Sequence, residues 1–176
     1  MQEKTLDSAE KLYEELIRPI EGRMMRCVAR IVGNQDEAAD VFQEVLGVVW
    51  VKLRRIHRHE NPHAYIMQVC LSRSYDALRR RSRRRQREVP MLGEVAANVS
   101  SDPRRSLELK ENEVTVRRAI ARLPRKQGLA VLLSVVEGEA YKDIATILGC
   151  SVPSARSHVS KGRARLRVLL ELNDFS

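Results

Sequence analysis

The segment 141–170 has the sequence YKDIATILGCSVPSARSHVSKGRARLRVLL. Apolar residues recur at helical spacing on both sides of Gly149. A glycine after the last apolar residue is typical of a helix end, and Ser151 can cap a following helix by accepting a hydrogen bond from a free backbone N–H. The segment therefore predicts a helix-turn-helix, with a short helix over 141–148 and a longer one over 153–170.

The second helix of this motif has the composition of a DNA-reading helix. It contains no Asp or Glu between residues 153 and 170, whereas a solvated surface helix normally mixes acids with its bases. Arg and Lys bond to guanine in the major groove, and Ser and His bond to several base edges. We expect groove contacts from its outward residues, which are Ser154, Arg156, Ser157, His158, Lys161 and Arg165.

Charge is unevenly distributed along the 176 residues, whose formal net charge is +9. Residues 1–50 contain 6 basic and 10 acidic side chains, whereas residues 51–90 contain 12 basic and 3 acidic ones. Residues 91–176 contain 14 and 10, with the bases concentrated after Pro153. Two separated basic faces indicate two contacts with a polyanion. Aromatic residues make up only 4%, which argues against a stacking surface for single strands.

The sequence also excludes several classes of protein. No run approaches the ~20 apolar residues of a membrane-spanning helix, and the polar, acidic N-terminus does not resemble a secretory signal. Cys27, Cys70 and Cys150 are odd in number and scattered, so we expect reduced thiols in a cytoplasmic protein rather than disulfides.

No metal site, cofactor or catalytic centre is expected. The histidines at 57, 59 and 63 lie near Cys70 in sequence but lack ordinary zinc spacing. No glycine-rich phosphate loop, nucleophile elbow or HExxH motif occurs. The sequence therefore predicts a binding protein and not an enzyme.

Helical periodicity dominates the N-terminal half, and no stretch alternates with the period of a strand. The apolar stripe from Leu12 to Ile31 predicts one long helix that ends near Gly33. Asn34 and Glu37 form a capping pair that starts the next helix. Its expected inward residues are Ala38, Phe42, Val45, Val49, Leu53 and Ile56.

A third helix is predicted from Asn61-Pro62, an N-cap followed by proline at the first helical position. It continues into a run of arginines at 79, 80, 81, 83, 84, 85 and 87. Since a helix turns 100° per residue, these arginines surround the axis and cannot all pair with acids of the same chain. Arginine binds phosphate bidentately, so we expect phosphate contact rather than a merely solvated helix end.

The pattern breaks over residues 86–106, which mix Pro, Gly, Ser and charge and therefore predict a flexible linker. Helical pattern resumes from Leu107 to Leu123, and Pro124 marks a boundary. A shorter helix ending at Gly138 is expected to turn Leu129, Leu132, Val135 and Val136 inward. The fold class is thus all-α, with two small helical domains and a helix-turn-helix in the second.

An acidic face is predicted on the second helix. Asp36, Asp40 and Glu44 are spaced i, i+4, i+8 and therefore share one side, next to Gln43. Like charges at this spacing are mildly unfavourable in isolation. A basic partner surface would explain them, and an ordinary solvated acidic face is the alternative.

Three stretches, in order, resemble motifs of the extracytoplasmic-function branch of bacterial RNA polymerase sigma factors. IVGNQDEAADVFQEVLGVVW (31–50) resembles the acidic core-binding stretch of that family. NPHAYIMQVCLSRSYDALRRRSRR (61–84) resembles its promoter-melting segment. AIARLPRKQGLAVLLSVVEGEAYKDIATILGCSVPSARSHVSKGRARL (119–166) resembles its helix-turn-helix domain. The resemblance implies a region 2 domain over 8–85, the linker over 86–106 and a region 4 domain over 107–172.

The resemblance also implies partners and site residues. Asp36, Asp40, Gln43 and Glu44 would dock on the clamp helices of the largest subunit of core RNA polymerase, and region 4 on the flap of the second-largest subunit. The minus-ten promoter element would be held by Tyr65, Ser72, Arg73, Asp76, Arg79, Arg80 and Arg83. The minus-thirty-five element would be read by the groove residues named above. An anti-sigma factor is implied as a further partner, and membrane insertion is not.

This chain departs from the family pattern at several positions. Tyr65 stands where Trp is common and Ser72 where Asn is common, so the base preference at the minus-ten element does not transfer. Ala155, His158, Lys161 and Gly162 replace the usual Val, Arg, Arg and Ala of the recognition helix. Gly128 stands where Arg is frequent, which removes a potential contact with the DNA backbone.

The expected function is therefore a non-enzymatic factor that binds core polymerase, bridges two promoter elements and helps to open the duplex. A stand-alone DNA-binding regulator with an N-terminal oligomerisation domain is one alternative, and it predicts a palindromic site bound without polymerase. An RNA-binding protein led by the arginine run is another, and it predicts binding independent of promoter sequence.

Overall fold

The computed structural model describes residues 10–87 and 103–174, with side chains over 10–85 and 112–172. Within these ranges all regular structure is helical, which confirms the predicted fold class. The helices are α1 (10–16), α2 (Arg18–Val32), α3 (Gln35–His57), α4 (Pro62–Arg87), α5 (Pro103–Ala121), α6 (Arg125–Val131), α7 (Tyr141–Leu148) and α8 (Val152–Asp174). A π-helical turn, Leu132–Val136, follows α6.

The long first helix predicted from Leu12 to Ile31 is instead two helices that meet at Ile17. Pro19 lies in the first turn of α2 and has no N–H to give to the preceding turn. Its ring also crowds the carbonyl four residues earlier, so the helix restarts there. The predicted end is confirmed, since Gly33 adopts a φ of +71° and its N–H bonds to the Ala29 carbonyl at 2.9 Å.

The predicted helix starts at Asn34 and Asn61 are confirmed. The Asn34 side chain accepts a hydrogen bond from the Glu37 N–H at 2.9 Å, and Asn61 accepts one from the Ala64 N–H at 3.0 Å. The predicted inward stripe of α3 is buried throughout. It packs against α2 and α4, so α1–α4 form one group of helices, called here the N-terminal bundle.

Helices occupy both ends of the segment 86–106, which the sequence predicts to be a linker. The arginine-rich helix α4 continues to Arg87, and no proline or glycine occurs before Pro90 to stop it. Helix α5 begins at Pro103, a residue whose fixed φ suits the first helical position. The predicted flexible linker otherwise falls on 88–102, outside the described residues.

The predicted helix that ends at Gly138 begins as α6 but is π-helical over Leu132–Val136. Leu129 is buried as expected, whereas Val135 is 60% exposed. In a π-helix each N–H reaches back five residues, as that of Glu137 does here at 3.2 Å, so the turn holds an extra residue. That extra residue rotates Val135 outward, and the prediction that it faces the core is wrong.

The helix-turn-helix is confirmed at α7 and α8. Gly149 ends α7 with a φ of +60°, and the Ser151 hydroxyl accepts a hydrogen bond from the Ser154 N–H at 3.3 Å. Ala155 and Val159 of α8 face the core. Helices α5–α8, with the π-helical turn, are called here the C-terminal bundle.

Gly162 allows α8 to lie close to α6. A Cβ at this position would be 2.6 Å from a methyl carbon of Val131 and 3.0 Å from the backbone oxygen of Gln127. Such an oxygen belongs to a helix backbone and cannot move without shifting α6. The departure from the family pattern at Gly162 therefore has a packing reason in this chain.

Gly162→Ala should destabilise the protein by about 1–2 kcal/mol, because the overpacking penalty exceeds the gain in helix propensity. Urea unfolding followed by circular dichroism measures the change. Gly22→Ala is the matched control, since a Cβ there meets only the flexible end of Arg26 at 3.3 Å on an exposed part of α2. The control should be neutral or more stable, and equal destabilisation by both variants would contradict the packing argument.

Candidate nucleic-acid interface

The predicted acidic face lies on the exposed side of α3. Asp36, Asp40, Gln43 and Glu44 are all exposed. Asp36 and Glu37 also lie in the first turn of α3, where negative charge complements the helix dipole. Glu37 points differently from the others, since its carboxylate binds Arg81 of α4 at 3.1 Å.

Sequence reasoning missed an apolar extension of this face. Val51 lies seven residues after Glu44, two helical turns further along the same side of α3, and is 84% exposed. Trp50 is also exposed and its ring contacts Tyr13, with centroids 6.2 Å apart. Large exposed apolar residues beside a charged face are typical of a protein-binding surface. The apolar pattern of α3 could have indicated Val51, because Val51 is apolar but lies outside the inward stripe of this helix.

Four of the residues predicted for the minus-ten element meet in one cleft. The cleft has a volume of about 360 Å³, and its lining is largely polar. Its lining residues are Val48, Lys52, Tyr65, Gln68, Val69, Ser72, Arg73, Asp76 and Arg125. Arg79, Arg80 and Arg83 lie further along α4 and do not line it. The cleft therefore combines an aromatic ring, a hydroxyl, an amide and charges of both signs, which suits a base together with its phosphate.

Arg125 of the cleft was missed by sequence reasoning. It belongs to α6, in the other bundle, and its guanidinium forms an ion pair with Asp76 of α4. No local pattern joins two residues 49 positions apart, so the sequence carries no signal for this pair.

The arginine run of α4 is helical as predicted, but it is not uniformly turned to solvent. Arg81 points inward and donates to the Val32 carbonyl at 3.3 Å as well as to Glu37. Arg79 stacks over the ring of Tyr75, with its guanidinium carbon 5.9 Å from the ring centroid. Arg80 and Arg83 are exposed. The packing of α4 on α2 and α3 explains the difference, because one side of α4 has to face these helices.

The six predicted groove residues lie on α8. Arg156, Lys161 and Arg165 are exposed, whereas Ser154, Ser157 and His158 are half-buried. Arg156 lies over the Tyr141 ring at 5.4 Å from its centroid, and Arg165 donates to the side-chain oxygen of Gln127 at 3.0 Å. The hydroxyl of Ser154 lies 2.9 Å from that of Ser151 in the turn.

The histidines near Cys70 in sequence make separate contacts. His57 lies 3.9 Å from a carboxylate oxygen of Glu15, and the ring of His59 contacts that of Tyr65 with centroids 5.3 Å apart. Among the residues that the structure describes, no group of three His, Cys, Asp or Glu side chains is arranged to share a metal ion.

The cysteines are all free, and Cys27 and Cys70 are buried neighbours between α2 and α4. A hydrogen bond that the Cys27 thiol donates to Cys70, together with burial, raises the pKa of Cys27 well above its usual range. Cys70 also donates to the Met24 carbonyl, with the sulfur 3.7 Å from the oxygen. The Cys27 thiol therefore stays protonated, and both cysteines serve as core residues.

Tyr75 joins the two bundles. Its side chain is fully buried, and its hydroxyl lies 2.7 Å from the Leu123 carbonyl oxygen and 3.2 Å from that of Ile120. Both oxygens belong to the corner between α5 and α6, where helix-end carbonyls need donors. Burial raises the pKa of Tyr75, so the phenol keeps its proton at neutral pH and remains a donor.

No helix in the described ranges is both long enough and apolar enough to cross a membrane.

Comparisons with known proteins place these features in context. The family model "Sigma-70 region 2" matches residues 16–84, and "Sigma-70, region 4" matches residues 113–166. The "ECF RNA polymerase sigma factor EcfG" of Rhodopseudomonas palustris is 31% identical over 78% of this chain and 74% of its own length. The "ECF RNA polymerase sigma factor SigE" of Mycolicibacterium smegmatis is 26% identical over 88% of this chain, which spans 60% of that relative.

Two solved structures share the fold. One is the sigma factor RpoE in complex with the anti-sigma factor NepR from Bartonella quintana, with a TM-score of 0.55 and 24% identity over 90% of this chain and 96% of that one. The other is CnrH in complex with the cytosolic domain of CnrY, with a TM-score of 0.55 and 18% identity over 91% and 88%.

Tyr75→Phe should destabilise the protein by about 1–2 kcal/mol, because it leaves the Leu123 carbonyl without its buried donor. Urea unfolding measures the loss. Tyr141→Phe is the control, since that ring is partly exposed on α7; it should change stability by less than about 0.5 kcal/mol. A Tyr75→Phe variant as stable as the wild type would show that the hydroxyl contributes nothing net.

Proposed function

This chain belongs to the extracytoplasmic-function (ECF) family of RNA polymerase sigma factors, and on that premise we propose how its surfaces divide the work of transcription initiation. The observation that carries the proposal is the polar cleft on α4, which unites Tyr65, Ser72, Arg73 and Asp76 beside an arginine-rich helix end. The protein is a transcription initiation factor of the cytoplasm that catalyses no reaction of its own. Its domains are region 2 over 8–85, a linker within 86–106 and region 4 over 107–172.

The acidic face of α3 binds core RNA polymerase. Asp36, Asp40, Gln43 and Glu44 supply charge and hydrogen bonds to the clamp helices of the largest subunit, and Val51 adds an apolar contact at one end. Support comes from the exposure of all five residues and from their position on one side of a long, well-capped helix. Charge complementarity of this kind speeds association and selects the partner.

The cleft on α4 holds the minus-ten element after the duplex opens. A base that leaves the stack loses a few kcal/mol, and a pocket that stacks and hydrogen-bonds the base offsets that loss. Tyr65 supplies a ring to stack on, while Ser72 and Asp76 supply hydrogen-bonding groups and Arg73 a charge for phosphate. Arg79, Arg80 and Arg83 follow along α4, where they position the strand through its phosphates.

Helix α8 reads the minus-thirty-five element in the major groove. Arg156 and Lys161 supply the base contacts, with His158, Ser157 and Ser154 beside them and Arg165 directed at the backbone. Support comes from the exposed basic face of this helix and from the tight turn that presents it. Region 4 also docks on the flap of the second-largest polymerase subunit.

An anti-sigma factor is the regulatory partner that we propose. One solved structure of the same fold is the sigma factor RpoE in complex with the anti-sigma factor NepR, and the other is CnrH in complex with the cytosolic domain of CnrY. This chain shares their fold and presents an acidic, partly apolar face on α3 that such a partner can cover.

Run-off transcription with purified bacterial core polymerase tests the function. The wild-type chain should direct initiation from a promoter that core polymerase alone does not use. If the chain binds core polymerase but initiates from no promoter of its genome, the proposed function is wrong. Binding to duplex DNA at a palindromic site without polymerase would favour a stand-alone regulator instead, and equal affinity for RNA and promoter DNA would favour an RNA-binding protein.

Glu44→Lys should weaken binding to core polymerase at least about tenfold, because it places a positive charge against a basic partner surface. Fluorescence anisotropy of a labelled sigma chain titrated with core polymerase measures the affinity. Glu14→Lys makes the same change at an exposed acid of α1 outside this face and should retain wild-type affinity. Equal loss in both variants would indicate a general charge effect.

Arg156→Ala should reduce discrimination between the correct minus-thirty-five sequence and a mutated one by about 1–3 kcal/mol, the typical value of one base contact. The measurement is promoter binding by the complete holoenzyme on both sequences. Arg163→Ala is the control, because Arg163 lies on the same helix but donates to Ser134 of the C-terminal bundle at 3.0 Å. Loss of affinity without loss of discrimination would assign Arg156 to the phosphates.

A further inference from the structure

A second pocket lies where the end of α2 meets α4 and α5. Its volume is about 40 Å³, which is room for about three water molecules. None of the residues that line it lines the cleft on α4 or is assigned to promoter DNA or polymerase. A ligand of this pocket would therefore lie outside the surfaces that the proposed function uses.

Arginines from two helices form the rim of this pocket. Arg81 and Arg85 lie about one turn apart on α4, and Arg117 and Arg118 are adjacent on α5. Among the described residues that line the pocket, none is an Asp or a Glu. The two helices thus bring like charges into one small space, where an anion would be attracted by both.

Two acids outside the pocket offset part of this charge. Glu37 binds Arg81 at 3.1 Å, and Glu113 binds Arg117 at 3.1 Å. The Glu113 side chain is 63% exposed, so water screens its ion pair and the pair contributes little. The pocket therefore keeps a positive potential.

The two inner arginines are held in place by the end of α2. Arg81 donates to the Val32 carbonyl at 3.3 Å, and Arg117 donates to the Arg30 carbonyl at 3.2 Å. Gly33 makes room for Arg117, because a Cβ there would lie 2.6 Å from the guanidinium carbon. Each guanidinium carries five N–H groups, which is more than these contacts use. Donors that are fixed in advance lose little freedom when they bind an anion.

The floor of the pocket is mainly apolar and contains one hydroxyl. Val32 and Leu78 are buried, and Val114 is half-buried. Ser82 is also buried, and its hydroxyl can donate or accept a hydrogen bond. Apolar walls lower the local dielectric constant, so the arginines bind an anion here more strongly than they would in water.

The size and charge of the pocket favour a terminal phosphoryl group. A phosphomonoester carries about −1.5 to −2 charges at pH 7 and three acceptor oxygens, which arginine binds in pairs. A phosphodiester of nucleic acid carries about one charge and continues into a sugar on each side, which a volume of about 40 Å³ does not admit. We propose that this pocket, called here the arginine pocket, binds the phosphoryl group of a small phosphomonoester whose remainder extends into solvent.

Thermal unfolding of the full chain, followed by circular dichroism, tests the proposal. Adenosine 5′-monophosphate is the probe, adenosine is the unphosphorylated control, and NaCl keeps the ionic strength constant because salt alone screens the arginines. At ten times its dissociation constant, measured by isothermal titration calorimetry, the probe should raise the melting temperature by about 3–6 °C. Inorganic phosphate should also raise it, and adenosine should leave it unchanged.

Arg118→Glu should weaken calorimetric binding of the probe at least about tenfold, because it removes one guanidinium and adds a repelling carboxylate. Arg118 is exposed, so the variant should fold. Arg122→Glu is the matched control, since Arg122 is exposed one turn further along α5 and does not line the pocket. It should bind the probe with wild-type affinity.

Val114→Glu supplies an anion from the wall of the pocket itself. Its carboxylate can reach the arginines, so this variant should melt at a higher temperature than the wild type and should no longer respond to the probe. Val116→Glu makes the same change at an exposed position of α5 outside the pocket. It should keep the full response to the probe.

Three outcomes would overturn the proposal. One is an equal rise in melting temperature for the wild type and Arg118→Glu, and another is no rise beyond that given by NaCl. The third is stabilisation through Arg118 by single-stranded DNA but not by the probe, which would assign the pocket to a nucleic-acid backbone. These measurements need neither polymerase nor a promoter, so their outcome is independent of the proposed function.

Discussion

A single phenol hydroxyl, that of Tyr75, donates across the boundary between two bundles of helices, and the arrangement of the molecule depends on it. The donor lies on α4, the helix that also carries the polar cleft and the arginine run, while the acceptors lie at the corner between α5 and α6. Because the ring is fully buried, the hydroxyl has no water to replace a lost acceptor. On the next helix, Gly128 lies against the Tyr75 ring and Arg125 pairs with the neighbouring Asp76.

The same surfaces explain how a chain of net charge +9 avoids binding every polyanion equally well. Part of its basic charge is used internally, as at Arg81 with Glu37 and Arg23 with Glu139. The exposed acids of α3 and the exposed bases of α4 and α8 lie on different helices, and the two signs of charge meet where Glu37 binds Arg81. The exposed side of α3 is mainly acidic, whereas the exposed end of α4 and the outward face of α8 are mainly basic, as distinct partners require.

Local signals predicted much of this fold, because caps and apolar stripes act over a few residues. Asn34, Asn61 and Ser151 each cap the helix that the sequence assigned to them. The sequence analysis missed the break between α1 and α2 at Ile17, although Pro19 indicates that a helix begins there. The residues proposed for the cleft were identified from a family resemblance. That they lie together in one cleft could be seen only in the structure.

The remainder could not be predicted, since it depends on contacts between distant parts of the chain. A single π-helical turn is too short to produce a recognisable spacing of apolar residues in the sequence. Val135 was therefore predicted to face the core, whereas it is exposed. In the sequence, Gly128 and Gly162 are recognisable only as departures from the family pattern. The structure explains why they are glycines, because a Cβ at Gly128 would collide with Tyr75 and a Cβ at Gly162 would collide with Val131. The contact between the two bundles at Tyr75 has a consequence for protein engineering, because its two sides are matched to each other. A chimaera that takes its C-terminal bundle from a relative with a side chain at the position of Gly128 would place that side chain against Tyr75 and lose the fit between the two bundles.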